Sequence, residues 1–175
     1  KAFIAAVERG RCYVIANQTG VTSQAGLSAT TPVLPLANPH DSGVVGRLWV
    51  ASAQFEVAFA AAASVWLCHG YHSGTAVTGT LTTAHRNLKL GAVNAQGNKL
   101  VPFLAATLPA APVAIDLLGV GLTGAITTIP ALLPMEKWYR GGILIQPGSS
   151  ISIQTSTASG ASATLCSYIW EEVDA

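Results

Sequence analysis

Charged residues are scarce in this sequence. Only 10% of its 175 residues are Asp, Glu, Lys or Arg, against about 25% in an average soluble domain. The formal net charge is +1, and the basic residues are scattered. Nucleic-acid-binding proteins usually carry a basic stripe or patch. We therefore expect no nucleic-acid partner, and we expect neighbouring subunits to cover part of the weakly charged surface. The alternative is an Ala- and Gly-rich monomer.

Long hydrophobic runs and cysteine pairs are also lacking. The longest apolar run, residues 57–68, is shorter than the roughly 20 residues that a membrane-spanning helix needs. Residues 1–7 lack the apolar core of a signal peptide. Cys12, Cys68 and Cys166 are an odd set without a CxxC motif, so we expect thiols and synthesis in a reducing cytoplasm, although one disulfide stays an alternative. No membrane association is expected.

Catalytic signatures are absent as well. Residues 119–124 match the dinucleotide pattern GxGxxG, but the β-branched sequence that follows does not suit the helix that must present its amides to a phosphate. His40, Asp41 and Ser42 have the residue types of a hydrolase triad, yet sequence neighbours cannot line up as nucleophile, base and orienting group, and no GxSxG motif is present. We predict that the protein is not an enzyme and needs no cofactor.

One cluster of metal-ligand types contains Cys68, His69 and His72. In a strand, Cys68 and His72 share one face and His69 points to the other, so the three do not converge locally. His85, or copies of one histidine on a symmetry axis, would be needed to complete a site. Polar loop histidines are the simpler interpretation, and we predict no metal site.

The features that are present indicate β-structure. Residues 47–58 and 150–155 alternate in side-chain character, and residues 64–71 and 164–170 are rich in strand formers. Pro147-Gly148 is a turn signal between two such runs. Because short strands separated by Gly and Pro turns dominate, we predict an all-β fold: an antiparallel, jelly-roll-like β-sandwich of about eight strands.

The N-terminal segment has less regular patterning. Residues 1–10 suit either a short helix or an extended arm, and residues 11–16 are rich in strand formers. Residues 17–31 have no periodicity, so they form either a loop or an arm laid on a partner. We divide the chain into residues 1–31, an extended N-terminal arm with the first strand, and residues 32–175, the sandwich domain.

Five sequence features together resemble one family. They are the Asn38-Pro39 turn before a long strand, Leu-Pro-x-x-Pro at 108–112, Gly-x-Gly-x-Thr-Gly-Ala at 119–125, the Pro147-Gly148 turn, and Trp-Glu-Glu-Val at 170–173. The chain is similar in these features to the small jelly-roll cement or decoration proteins of tailed-bacteriophage capsids. The resemblance implies a homotrimer on the capsid exterior that bridges subunits of the major capsid protein, after synthesis in the host cytoplasm.

Five residues are candidates for the partner contact under this interpretation. Arg9, Arg11 and Tyr13 belong to the predicted arm, which we expect to contact the shell. Trp138 follows an irregular segment, and Trp170 lies beside two glutamates near a strand end. We expect these residues to face a partner, whereas most of the tryptophans should be core residues.

A different class of function is also compatible with the sequence. A trimeric receptor- or glycan-binding head, such as a fibre tip or a TNF/C1q-like module, would have the same β-rich character. Exposed aromatic side chains in residues 71–76 or 135–139 would favour this recognition function over a purely structural one.

Overall fold

Strands dominate the part of the chain that the computed structural model describes, which comprises residues 2–22, 26–30, 32–55, 63–72, 74–91, 97–121, 135–156 and 164–175. A seven-residue helix precedes them. In chain order the elements are α1 (Ala2–Glu8), β1 (Cys12–Ala16), β2 (Val33–Asn38), β3 (Val44–Phe55), β4 (Ala63–Tyr71), β5 (Thr78–Leu81), β6 (Arg86–Asn87), β7 (Val101–Thr107), β8 (Val113–Gly121), β9 (Met135–Ile145), β10 (Ser149–Thr155) and β11 (Thr164–Asp174).

The strands form two antiparallel sheets that pack face to face. The five-stranded sheet has the order β6-β1-β11-β3-β9, and the six-stranded sheet has the order β5-β7-β2-β10-β4-β8. The predicted all-β sandwich is therefore confirmed, while the jelly-roll connectivity stays a prediction. The last two strands, β10 and β11, each lie between two neighbours, one strand in each sheet.

The hydrophobic core lies between the sheets. Ile151 and Ile153 of β10 belong to the same buried cluster as Tyr168 and Trp170 of β11. Trp170 is fully buried and stacks on Tyr13 of β1, with ring centroids 5.6 Å apart. Burial of each large apolar side chain contributes about 1.5–3 kcal/mol, so this cluster dominates the stability of the sandwich.

The outward face of β10 is covered by the chain itself. Gln154 accepts a hydrogen bond from the amide of Ser28 at 2.9 Å and donates one to the Ser28 carbonyl at 2.8 Å. The amide of Leu108 donates to the carbonyl of Ala29 nearby. Because this N-terminal loop packs on the sheet, every residue of β10 is buried, including the polar ones.

The described residues of the predicted arm pack on the sandwich. Residues 2–8 are a helix, and Phe3 lies against Trp49 with ring centroids 4.9 Å apart. Strand β1 pairs with β11 along its whole length and with β6 on its other side. The first strand is thus an interior strand of the five-stranded sheet, and in the single subunit these residues are not an extended arm.

Candidate assembly surface

The edges of the two sheets meet at one side of the sandwich. Strand β8 ends the six-stranded sheet and β9 ends the five-stranded sheet. Asp116 of β8 joins them, because one of its carboxylate oxygens accepts from Lys137 Nζ at 2.7 Å and the other from Tyr139 Oη at 2.7 Å. Burial acts to raise the pKa of Asp116, but these two hydrogen bonds outweigh it and lower that pKa. Burial and the Asp116 contact raise the pKa of Tyr139.

Large apolar side chains are exposed along both edge strands. The four on β8 are 46% to 65% exposed, and the two on β9 are at least half exposed. They are Val113, Ile115, Leu117 and Val120 on β8, and Trp138 and Leu144 on β9. These six residues define what we call the β8–β9 surface; on β8, Ile115 and Leu117 alternate with Asp116, so they point away from its contact with β9. Neither strand contains proline, but β9 carries Glu136, Lys137 and Arg140, and the pairing of both strands shifts register, so both edges keep part of the usual protection of an edge strand.

The opposite edge of the six-stranded sheet has a different character. Strand β5 has four residues, Thr-Gly-Thr-Leu, and all are exposed. Its one large apolar side chain is Leu81. A short, mostly polar edge is a common way to prevent unwanted strand pairing. The two edges of this sheet therefore differ in length and in apolar exposure.

The structure exposes Trp138 but buries Trp170 and Tyr13. Trp138 lies on the β8–β9 surface, where its indole donates to Glu136 at 2.6 Å. Trp170 has no exposed surface and donates to Glu172 at 3.1 Å inside the core. Trp170 and Tyr13 are therefore not available to a partner on the surface of this subunit. The two glutamates after Trp170 wrongly indicated that Trp170 faces a partner. They are buried at paired positions of β11 and do not mark a solvated strand end.

Arg9 and Arg11 lie together at a pocket of about 400 Å³ between α1 and the five-stranded sheet. Arg11 forms an ion pair of 3.0 Å with Glu171. Arg47 and Arg140 also line this pocket, and sequence reasoning missed both. Arg47 is identifiable from its cross-strand pairing with Glu171, but that pairing is known only when the register of β3 with β11 is known.

A second pocket, of about 450 Å³, lies between β2, β7, His72 and residues 74–77. Phe103 and Val77 contribute apolar walls, and His40 and His72 contribute polar ones. The Nε2 atom of His72 is buried and has no hydrogen-bond partner among the described residues. Burial, together with the nearby His69, lowers the pKa of His72, so its imidazole is neutral at pH 7.

The other candidate motifs do not form a site in the described part of the chain. Within it, no three His, Cys, Asp or Glu residues are placed to hold a metal ion. Gly119 to Gly121 of the GxGxxG pattern belong to β8, and the rest of the pattern lies outside the described residues. In the described residues, no helix combines the length and the hydropathy that crossing a bilayer requires.

The three cysteines are buried free thiols, which confirms the prediction of thiols. Burial raises the pKa of Cys12 and of Cys68 to about 12, and it raises that of Cys166 as well. Because the thiolate is the reactive form, these residues are inert packing side chains at neutral pH.

Comparison of the sequence and the structure with protein-family models, curated proteins and solved structures found no match. The geometry of the chain's own surfaces therefore carries the functional inference.

Proposed function

We propose that this protein is a structural subunit that self-associates through the β8–β9 surface and decorates the outside of a phage capsid. The observation that carries the proposal is the concentration of six exposed apolar side chains on two adjoining edge strands. Full burial of one such side chain contributes about 1.5–3 kcal/mol, and a half-exposed one gains roughly half of that. Covering this surface is therefore strongly favourable.

A second copy of the chain is the partner that best fits this surface. Both edge strands carry backbone groups that no described strand pairs, and another subunit's strand is a suitable partner for them. Homo-oligomers with closed symmetry are the commonest soluble assemblies. In a cyclic trimer, the β8–β9 surfaces of three copies would face one another around the axis. This arrangement also accounts for the low charge content, since much neutral surface would be covered.

The capsid role depends on the sequence resemblance. The Trp-Glu-Glu-Val terminus and the Asn-Pro and Pro-Gly turns support a capsid decoration protein, and an all-β sandwich is compatible with that role. The major capsid protein is then the second partner. Bridging of neighbouring shell subunits by a trimer would stabilise the head against expansion, because each trimer contacts several subunits at once.

A matched pair of lysine variants tests the self-association. Leu117→Lys places a charge on the β8–β9 surface, whereas Leu81→Lys places one on the opposite edge; the two leucines are similarly exposed. We expect Leu117→Lys to dissociate the oligomer and Leu81→Lys to leave it intact, measured by light scattering after size exclusion. Cosedimentation of the wild type with empty capsids tests the second partner. Equal behaviour of the two variants would contradict the proposed interface.

Recognition of a glycan or a host protein is the second candidate function. Tyr71, at the end of β4, is 67% exposed and Trp138, in β9, is 54% exposed, so both predicted segments present an exposed aromatic ring, although neither residue lies in a loop. Exposed aromatic rings are common stacking platforms, and the pocket containing His72 lies next to Tyr71 in sequence. A glycan array with Tyr71→Ala as the control separates the functions. Specific binding that Tyr71→Ala abolishes would support recognition.

A further inference from the structure

The pocket between α1 and the five-stranded sheet gathers four of the nine basic residues of the chain. Its polar and aromatic lining consists of Arg9, Arg11, Arg47, Arg140, Trp49 and Glu171. We call it the arginine pocket. With one carboxylate among four guanidinium groups, the formal charge of its lining is +3, in a protein whose total charge is +1. No other feature of the described surface concentrates charge in this way.

Glu171, the one carboxylate in the pocket lining, does not pair with all four arginines. Glu171 is almost fully buried and contacts Arg11 at 3.0 Å and Arg47 at 4.0 Å. Arg9 and Arg140 have no ion pair among the described residues. Two further donors, Arg11 Nε and Trp49 Nε1, are buried without a hydrogen-bond acceptor there. An unsatisfied buried donor is unfavourable, and more so when it is charged, so the pocket favours an added acceptor.

A bulge in β9 places Arg140 at the pocket. Residues 139–142 lie opposite the single residue Trp49, because Trp138 pairs with Val50 and Ile143 pairs with Leu48. Arg140 has φ of 55° and Gly141 has φ of 79°, so both are in the left-handed region. For arginine this conformation is strained. Strained residues of this kind cluster at functional sites.

We propose that the arginine pocket binds the carboxylate of an acidic side chain from a partner protein. Guanidinium groups bind carboxylates through paired, charge-assisted hydrogen bonds. The net positive lining attracts an anion of either charge, and its apolar walls favour an anion that carries methylene groups, as an acidic side chain does and phosphate does not. The indole of Trp49 and the alanines of α1 line the pocket as apolar walls for the methylene groups of such a side chain. The inference builds on the proposed assembly role, and the pocket adjoins the β8–β9 surface, because Arg140 belongs to β9 and Arg47 pairs with Leu144.

The test uses small probes and nuclear magnetic resonance on the full chain. N-acetylglutamate N-methylamide carries the carboxylate, and N-acetylglutamine N-methylamide is its neutral isostere. Inorganic phosphate is the third probe. The indole N–H signal of Trp49, assigned with Trp49→Phe, and the Arg11 Nε–H signal report binding. We expect saturable shifts of both signals with the glutamate probe and none with the glutamine probe.

Variants connect the binding to the residues. Arg140→Gln and Arg9→Gln should each weaken binding of the glutamate probe by about tenfold or more, because each removes a charge-assisted hydrogen bond to the carboxylate. Arg86→Gln, on β6 and away from the pocket, should change nothing. Absence of shifts with the glutamate probe, or equal shifts with the glutamine probe, would overturn the proposal. Tighter binding of phosphate would overturn the assignment to a protein carboxylate.

Different variants test the self-association and the arginine pocket, so either proposal can be contradicted without the other. Leu117→Lys, which should dissociate the oligomer, should still bind the glutamate probe, because its side chain is not part of the arginine pocket. Arg140→Gln should keep the wild-type mass in solution but bind the glutamate probe more weakly. Loss of probe binding in Leu117→Lys would overturn the pocket as a property of the single subunit.

Discussion

Strands β9 and β11 have the same length, eleven residues, and each contains one tryptophan, yet they have opposite surroundings. β11 is paired on both sides, by β1 and β3, and its Trp170 is fully buried. β9 is paired only with β3, and its Trp138 is 54% exposed. Trp170 lies on the core face of an interior strand and Trp138 on an exposed face of an edge strand, so strand position and side-chain face together separate the core tryptophan from the interface candidate.

The glutamates of the two strands differ in the same way. Glu172 of β11 is buried and accepts hydrogen bonds from the amides of Lys99 and Leu100, as well as from Trp170. Glu136 of β9 is exposed and contacts the indole of Trp138. A carboxylate that is buried with several donors is a structural element of the fold, whereas an exposed one is free to contact a partner.

The largest expected effect comes from exchanging the tryptophans for alanine. Trp170→Ala leaves a cavity in the core and should lower the free energy of unfolding by about 3–5 kcal/mol. Trp138→Ala removes an exposed side chain and should change it by less than about 0.5 kcal/mol in the dissociated subunit. Urea denaturation at low protein concentration measures both. Similar losses for the two variants would remove the distinction between the strands.

A smaller effect is expected for the glutamates. Glu172→Ala leaves three donors without their acceptor, and we expect a loss of about 2–3 kcal/mol in the free energy of unfolding. Glu136→Ala is the matched control on β9 and should be close to neutral. The same denaturation series measures this pair. A neutral Glu172→Ala would mean that water satisfies these donors and that the residue is not structural.

The smallest effect concerns Asp116, which joins the two edges. Its pKa is lowered from the usual 3.8 in the folded state. The corresponding stability is present above the unfolded pKa and is lost as the pH falls through the lower folded value. Asp116→Asn should therefore flatten the acid side of the stability profile by less than about 1 kcal/mol relative to the wild type. Urea midpoints of the wild type and Asp116→Asn test this prediction when they are measured from pH 6 downward, a range that begins about two units above the unfolded pKa. Identical pH profiles for the two proteins would count against the stabilising contact of Asp116.

Local patterning predicted much of the strand content. The alternation at 150–155 and the strand formers at 164–170 correspond to β10 and β11, and the segment 64–71 corresponds to β4. These strands are recognisable because each carries its signal within a few residues. The central position of β10 and β11 is not local information, so the burial of Trp170 was not predictable from the same patterns.

Strand β2 was not predicted from the sequence, because it contains a proline. Pro35 lies in the middle of Val33–Asn38, an interior and fully buried strand. The ladder with β10 shifts its register there, since Ile151 pairs with Leu36 and Ile153 with Val33. A proline at such an irregularity removes no regular ladder hydrogen bond, which is why the strand tolerates it.

The arginine pocket depends on long-range pairing. Arg47 and Glu171 are opposite each other only because β3 and β11 are neighbours, and Arg140 is presented by a bulge whose backbone no sequence motif marks. The predictions that Arg9 and Arg11 contact a partner stay predictions, with a geometry that now makes them testable.

The central claim, that the β8–β9 surface is covered by copies of the same chain, is tested most directly by the mass of the protein in solution. One subunit is 17.9 kDa. We expect the wild type and Leu81→Lys to have three times this mass and Leu117→Lys to have the mass of one subunit. A wild-type protein that stays a monomer at every accessible concentration would contradict the account.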